Sequence, residues 1–345
     1  MRLTRNVTAS IALVAVVGLL LAPAAGAVST ASPTPGLLRA YTISAAYVTG
    51  VSSGGYMASQ LHVAYSGIFK GAAIVAAGPY YCAQDNLIRA LLACTSTFAS
   101  DQLSTLETDA STWSSQGLID PIGNLSGQPV WVFHGTNDTT VQTALTNDLV
   151  AFYQHFGASV TYNHTAPAGH AWVSPYGPNP CNVTRSPYLN NCGTDPQREF
   201  LGVLLGTSIT APNTGQLSGQ LIQFSQDAYA PRGQASSVSL ASTGYVYVPA
   251  SCAEDSPCRL LVALHGCLQS ASMIQLTFVN DANLNQYADS NDLVILYPQA
   301  APTSLSNPNA CWDWWGYLGA SDTNYARHGG AQLETIMRII HALGG

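Results

Sequence analysis

Three side chains have the types, settings and order needed for nucleophilic acyl transfer. Ser52 sits in Gly50-Val51-Ser52-Ser53-Gly54, Asp138 in Asn137-Asp138-Thr139-Thr140, and His170 in Pro167-Ala168-Gly169-His170. A hydroxyl attacks an ester when a base takes its proton, and a carboxylate behind the base fixes the base's tautomer. That chemistry calls for no metal and no organic cofactor. Each residue also has a plainer reading. Gly and Ser make turns, Asp in an Asn-Asp-Thr-Thr run is a turn former, and His134 and His164 compete with His170. Both rivals fall within strand-like runs, whereas His170 stands in a loop with a glycine beside it.

The elements that must position these groups read as short apolar runs. Tyr47-Val48-Thr49 is a strand entering the Gly-x-Ser-x-Gly turn, and residues 57–64 have helical spacing. Strand, tight turn and helix together make a nucleophile elbow, whose glycines let strand and helix nearly touch. Residues 71–78 and 129–135 read as buried central strands, and 159–164 as a further strand. Asp138 follows the second of these, and a carboxylate just past a strand's carboxyl end stands close to the top of the elbow strand. Residues 143–156 are helical in spacing, and 82–126 are mixed and partly helical.

Composition excludes several partners. Charged residues make up 8% of the chain, net charge is −7, and Lys70 is the only lysine. So few cations argue against nucleic acid and against an anionic membrane surface. A neutral surface rich in hydroxyls and amides suits a neutral polymer. Residues 1–27 have the form of an export signal. Arg2 and Arg5 come first, an apolar run follows that is short for a membrane span, and Ala25-Gly26-Ala27 makes a cleavage site. The mature chain is expected to be a secreted monomer without membrane insertion, in the medium or the periplasm, with a mobile start over 28–40. An even set of eight cysteines behind such a signal points to disulfides. Cys82 and Cys94, Cys181 and Cys192, and Cys252 and Cys258 are local couples, with Cys267 and Cys311 left over. Pairing by nearest neighbours is one arrangement among many, and the spacings do not make a zinc site.

The order Ser52, Asp138, His170 is that of the α/β hydrolases. That fold lays down several strands and an oxyanion loop before its elbow, yet here the elbow comes close to the mature start. The missing strands appear late, over 243–249, 258–264 and 293–298. The second of them runs into His265-Gly266-Cys267, the form of an oxyanion loop. A helix over 331–343 would lead directly into the elbow strand in an unpermuted chain. The expected fold is therefore α/β, one circularly permuted α/β-hydrolase domain over 28–345, with the polar, turn-rich stretch 207–241 joining the old termini. Two domains separated by a linker is the alternative, but neither half would own a complete sheet and site.

Four motifs carry a resemblance. Gly50-Val51-Ser52-Ser53-Gly54-Gly55-Tyr56-Met57, Asn137-Asp138-Thr139-Thr140-Val141, Leu264-His265-Gly266-Cys267-Leu268-Gln269-Ser270 and Cys311-Trp312-Asp313-Trp314 together resemble the secreted poly(3-hydroxybutyrate) depolymerases with a circularly permuted catalytic domain. The resemblance implies a triad of Ser52, Asp138 and His170, oxyanion donors at the backbone N–H of Ser53 and Cys267, and a disulfide between Cys267 and Cys311. It also implies a cleft-lining tryptophan, for which Trp314 is the choice, with Trp312 packed inward. Trp172 and Tyr176, just past His170, are expected on the other wall. Many such enzymes carry a separate substrate-binding domain after the catalytic one. None is expected here, so polymer would adsorb on the catalytic domain's own surface.

The expected activity is hydrolysis of poly(3-hydroxybutyrate) or related short-chain polyesters through an acyl-enzyme. A secreted feruloyl or acetyl esterase of plant polysaccharide is the alternative on the same scaffold. A polymer-binding protein with a decayed site is opposed by the intact triad set, and a long-chain lipase by the lack of a long apolar lid segment.

Overall fold

This computed structural model describes residues 30–96, 102–206, 208–254, 256–303 and 306–345. The export signal expected over 1–27 lies outside them. The strands are β1 (Pro33–Pro35), β2 (Ile43–Val51), β3 (Phe69–Val75), β4 (Pro129–Phe133), β5 (Ser159–Asn163), β6 (Trp172–Val173), β7 (Asn179–Pro180), β8 (Leu189–Asn191), β9 (Gln220–Ser225), β10 (Thr243–Val248), β11 (Cys258–Leu264) and β12 (Leu293–Tyr297). Among the described residues, nine of them form one sheet in the order β1-β9-β10-β12-β11-β2-β3-β4-β5. All run parallel except β10, which is antiparallel to both neighbours. The short strands β6, β8 and β7 make a separate small sheet beyond the carboxyl edge of β5 in sequence.

The helices are α1 (Ser53–Ala64), α2 (Leu87–Leu92), α3 (Leu103–Ser115), α4 (Thr143–His155), α5 (Pro196–Leu205), α6 (Ala250–Ala253), α7 (Ala271–Ile274), α8 (Thr277–Asp281), α9 (Leu284–Ser290) and α10 (Ala331–Ala342). They cover both faces, which is why the central strands are predominantly apolar, with the charged Lys70 of β3 and Arg259 of β11 near the strand starts. In β11, Leu260, Val262 and Leu264 join a core with side chains of α1, α3, α4 and α10. Leu261 and Ala263 of the same strand face a second core with α5, α8 and α9. Successive residues point to opposite faces, so one apolar run serves two layers.

The sheet is continuous in space but not along the chain. Its β1-to-β11 side comes mostly from the C-terminal half, and β2 to β5 from the N-terminal half. After α10, the Leu343 carbonyl accepts a hydrogen bond from the Tyr41 amide at 2.9 Å, so the last helix ends against the start of the elbow strand. The other seam is the stretch before β9, which is laid along α9. Asn213 Nδ2, the Ser218 amide and hydroxyl, the Gly219 amide and the Tyr247 hydroxyl all donate to the Asp289 carboxylate. This is a circularly permuted α/β-hydrolase sheet.

The start of the described chain differs from expectation. Residues 33–35 pair in parallel with β9, and Thr34 Oγ1 donates to the Leu221 carbonyl at 3.3 Å. Proline lacks an amide donor and is tolerated on an edge strand, so Pro33 and Pro35 close the sheet rather than loosen it. Four disulfides join Cys82 to Cys94, Cys181 to Cys192, Cys252 to Cys258 and Cys267 to Cys311. Among the described residues, no helix is long and apolar enough to cross a membrane.

Candidate active site

Ser52 stands between β2 and α1 with φ 57° and ψ −123°, a left-handed conformation that costs a non-glycine residue on the order of 1–3 kcal/mol. The surroundings impose it. The Ser52 amide donates to the Val75 carbonyl at 2.9 Å, and its carbonyl accepts from the Tyr56 amide at 3.0 Å. Strand and helix touch so closely that a Cβ on Gly50 would lie 2.1 Å from the Gly54 carbonyl oxygen, and one on Gly54 would lie 2.3 Å from that of Leu264. The two glycines therefore let the turn form and let α1 rest on the neighbouring β11.

The loop after β4 and the loop carrying His170 are tied together by main-chain bonds. The amides of Thr136 and Asn137 donate to the carbonyls of Ala166 and Ala168 at 2.9 and 3.1 Å. The His170 amide donates to Thr184 Oγ1 at 2.9 Å, and the Gly169 amide to the Cys181 carbonyl at 2.9 Å, next to the Cys181–Cys192 bridge. Asp138 Oδ1 is taken by the amides of Thr140 and Val141 at 2.9 and 3.0 Å. Its Oδ2 is 2.7 Å from His170 Nδ1, and His170 Nε2 is 2.8 Å from Ser52 Oγ. An ionised carboxylate only accepts, so Nδ1 carries the ring proton and Nε2 offers its lone pair to the serine hydroxyl. Asp138 and His170 are both buried.

The rival histidines stand elsewhere. His134 is buried, with Nδ1 3.0 Å from Thr146 Oγ1. Because the Thr146 hydroxyl donates to the Ala77 carbonyl, His134 Nδ1 must be the donor of that pair. Burial pushes its imidazole below the ordinary range, the nearby Asp138 charge acting the other way. His164 is exposed and stacks on Tyr162 at 4.3 Å.

The loop after β11 arrives beside Ser52, where a Cβ on Gly266 would lie 3.3 Å from the serine Cβ. It is fixed from several sides. The Gly266 amide donates to Gln269 Oε1 at 2.7 Å, and Gln269 Nε2 donates to the carbonyls of Pro187 and Tyr188. The Leu268 amide donates to the Asn309 carbonyl at 2.7 Å. Trp312, fully buried, donates its indole N–H to the His265 carbonyl at 2.8 Å. Burial lowers the His265 imidazole to about 4, a hydrogen bond with Gly266 partly opposing it. Its neutral Nε2 accepts from the Ala300 amide at 3.2 Å. Cys267 is bridged to Cys311. Among the described residues, the amides of Ser53 and Cys267 donate to no protein group, and both residues line the cleft above Ser52.

No family model matches the chain. A polyhydroxybutyrate depolymerase of Talaromyces funiculosus is 38% identical over 308 residues, which cover 84% of this chain and 86% of that protein. This chain belongs to the polyhydroxybutyrate depolymerase family. A poly(3-hydroxybutyrate) depolymerase of Delftia acidovorans is 39% identical over 298 residues, 85% of this chain, and the match spans 58% of that longer relative. Two solved structures of the family superpose with a TM-score of 0.80, each covering 89% of this chain and 98% of the other. One is PHB depolymerase from Penicillium funiculosum, 36% identical. The other is a serine-to-alanine variant of PHB depolymerase complexed with an R3HB trimer, 35% identical.

In this depolymerase-family chain the cleft holds about 530 Å³. One wall is Trp314, stacked on Tyr56 with centroids 4.2 Å apart and planes 13° from parallel, with Trp315 beside it. Asp313, between Trp312 and Trp314 in sequence, is buried, and its carboxyl is pushed up to about 7 by burial, with amides of Tyr317 and Leu318 opposing the shift. Two expected wall residues are elsewhere. Trp172 lies in the core between Phe200 and Phe278, and its indole N–H donates to the Ala282 carbonyl at 3.1 Å. Strand β6 turns that side chain away from the cleft. Tyr176 is half-buried, its hydroxyl pushed above the ordinary range by burial and then by the Asp195 charge; it does not line the cleft. Tyr188, Leu268, Leu87 and Leu91 supply the walls instead. The run 87–92, apolar but for Arg89 and set between two paired cysteines, is the sequence feature that could have pointed to the last two.

Proposed function

We propose that the protein hydrolyses ester bonds of poly(3-hydroxybutyrate) or a related short-chain polyester through a serine-bound acyl intermediate. The observation that carries the reading is the relay from Asp138 through His170 to Ser52, with links of 2.7 and 2.8 Å, at the floor of an apolar cleft. Family membership supports the substrate, as do the depolymerase relatives and the neighbour bound to an R3HB trimer.

Ser52 Oγ attacks the ester carbonyl as His170 Nε2 takes its proton, and Asp138 holds the imidazole in the tautomer that can accept. Negative charge gathers on the former carbonyl oxygen, where the Ser53 and Cys267 amides meet it, each donor worth about 3 kcal/mol in comparable sites. His170 returns the proton to the departing alcohol end of the polymer. A water then attacks the acyl-serine with His170 again as base, releasing a carboxylic acid and restoring Ser52. Trp314 forms the apolar wall against which the chain lies.

The triad and both donors come from one chain, which supports a monomer. One sheet drawing on both halves supports a single catalytic domain over 28–345. Four disulfides support an oxidising compartment, and polymer outside the cell is reached only by an exported enzyme, so the reading is secretion with 1–27 as its signal. The test is the purified protein offered suspended poly(3-hydroxybutyrate) beside feruloylated and acetylated xylan. Clearing of the polyester with soluble hydroxyacid products supports the assignment. Release of ferulate or acetate with no clearing moves it to the polysaccharide esterases.

A further inference from the structure

The cleft wall of Trp314 and Trp315 rests on no regular element. Both residues stand in the connection between β12 and α10, outside the strands and helices described above. Their rings belong to one aromatic row. Tyr56 stacks on Trp314, Trp314 meets Trp315 with centroids 5.3 Å apart, and Trp315 meets Tyr317 at 4.8 Å. Tyr56 is fixed at one end because it belongs to α1, and the other end needs a fixing of its own.

Asp313 supplies it. The amides of Gly316 and Tyr317 donate to its Oδ1 at 2.8 Å each, and the Leu318 amide donates to its Oδ2 at 3.3 Å. One carboxyl therefore gathers the three amides that follow the two tryptophans, and the chain between them doubles back with Gly316 at φ 78°. A Cβ on Gly316 would lie 2.0 Å from Asp85 Oδ1, so the turn is also pressed against the segment before α2. Residue 313 itself does not depend on its side chain. Its amide donates to Gln332 Oε1 of α10 at 2.8 Å, and its carbonyl accepts from Gln60 Nε2 of α1 at 3.1 Å. The side chain carries the position of those two helices to the wall.

The oxyanion side of the same connection has separate fixings. Asn307 Oδ1 accepts from the Cys311 amide at 2.8 Å, and Asn307 Nδ2 donates to the Cys311 carbonyl at 2.7 Å. Trp312 reaches the His265 carbonyl with its indole N–H. The Tyr317 hydroxyl adds a second donor to the Cys311 carbonyl, which Asn307 already serves. Losing the Asp313 carboxyl would untie the wall and leave Cys267 in place. A carboxyl here is also kept against opposition. Burial disfavours its charge, the like charge of Asp322 adds to that, and the three amides only partly offset it. A buried polar group retained at such a cost does something that an apolar side chain of the same size could not.

Resting on the polyester reading above, we propose that Asp313 is a positioning residue for polymer binding, its carboxyl holding the turn that sets Trp314 and Trp315 against the bound chain. It acts through the tryptophans and so on KM, not on the chemical step.

The test compares Asp313→Ala, Asp313→Asn and the parent on a soluble hydroxybutyrate trimer and on a short p-nitrophenyl ester, with circular dichroism to check the fold. Asp313→Ala is expected to raise KM for the trimer about tenfold and to keep kcat on the short ester within about threefold. In Asp313→Asn the amide oxygen still accepts from Gly316 and Tyr317, so KM is expected to stay within about threefold of the parent. Should Asp313→Ala not fold, Asp313→Ser, too short to gather the three amides, takes its place. Because Asp313 works through the wall, combining Asp313→Ala with Trp314→Ala raises KM by less than the product of the two single effects. Parental KM in a folded Asp313→Ala overturns the proposal, as does an equal loss of kcat on both substrates or a full product of effects in the double variant. Failure of Asn to restore what Ala loses overturns it as well. If the parent cleaves the short ester and not the trimer, it is the polyester reading that falls. The same variants on a p-nitrophenyl ester long enough to reach Trp314 then decide the role of Asp313 by the same KM split.

Discussion

Replacing Asp138 by Asn changes one atom's hydrogen-bonding character while keeping the shape, and the structure dictates which way the new amide must face. Asp138 Oδ1 is held by two main-chain donors, the amides of Thr140 and Val141. In Asp138→Asn the amide oxygen must take that place, since an NH2 there would oppose two N–H groups. The NH2 then points at His170 Nδ1, now 2.7 Å from the carboxylate oxygen it replaces. His170 must accept at Nδ1 and carry its proton on Nε2, facing Ser52 Oγ with a donor where a base is needed. The expected loss is about 10⁴ in kcat, the scale seen for this change in other serine hydrolases, or about 5 kcal/mol in barrier height. The assay is turnover of a short p-nitrophenyl ester at neutral pH, with circular dichroism and a urea midpoint to show that the fold is kept. A folded variant within about tenfold of the parent would refute the assignment of Asp138 as the carboxylate behind His170.

Trp314→Ala removes a cleft wall but touches no triad atom, so KM for a soluble hydroxybutyrate trimer is expected to rise about tenfold while kcat on a short ester changes little; steady-state kinetics on the two substrates reads the split. Asp289 gives a pH prediction. Burial pushes its carboxyl up, but donors from Tyr247, Ser218 and Asn213 outweigh this and leave it below the ordinary value of 3.8. A lowered folded value contributes stability that is whole above 3.8 and is lost as pH falls through the folded value. The parent's urea midpoint is therefore expected to fall more steeply than that of Asp289→Asn on acidification through this window, and equal slopes would count against the role of Asp289 at the seam.

Much of this architecture was legible in the sequence because the physics was local. Gly50 and Gly54 are needed by a contact between adjacent elements, so their spacing around Ser52 announces the elbow. The run 260–264 is apolar at every position because both faces of β11 are covered there, and that also marks it as a strand. The cysteine couples close short loops and met as neighbours, whereas Cys267 with Cys311 rested on family likeness. What was hidden depends on distant partners. Trp172 follows His170 by two residues and could face the cleft or the core. Only the meeting of β6 with α5 and α8 sends it inward. Residues 33–35 form a strand because β9 offers an edge, a fact that lies almost two hundred positions away. α2 violates the expectation that apolar periodic residues are core, and its exposure appears only when the cleft is assembled around it.

The most direct measurement is the rate of soluble 3-hydroxybutyrate release from suspended polymer by the parent protein and by Ser52→Ala, prepared and assayed side by side. The relay of Asp138, His170 and Ser52 predicts steady release by the parent and a rate about 10⁴-fold lower or less for the variant. Release by Ser52→Ala at more than about one per cent of the parental rate would contradict Ser52 as the nucleophile.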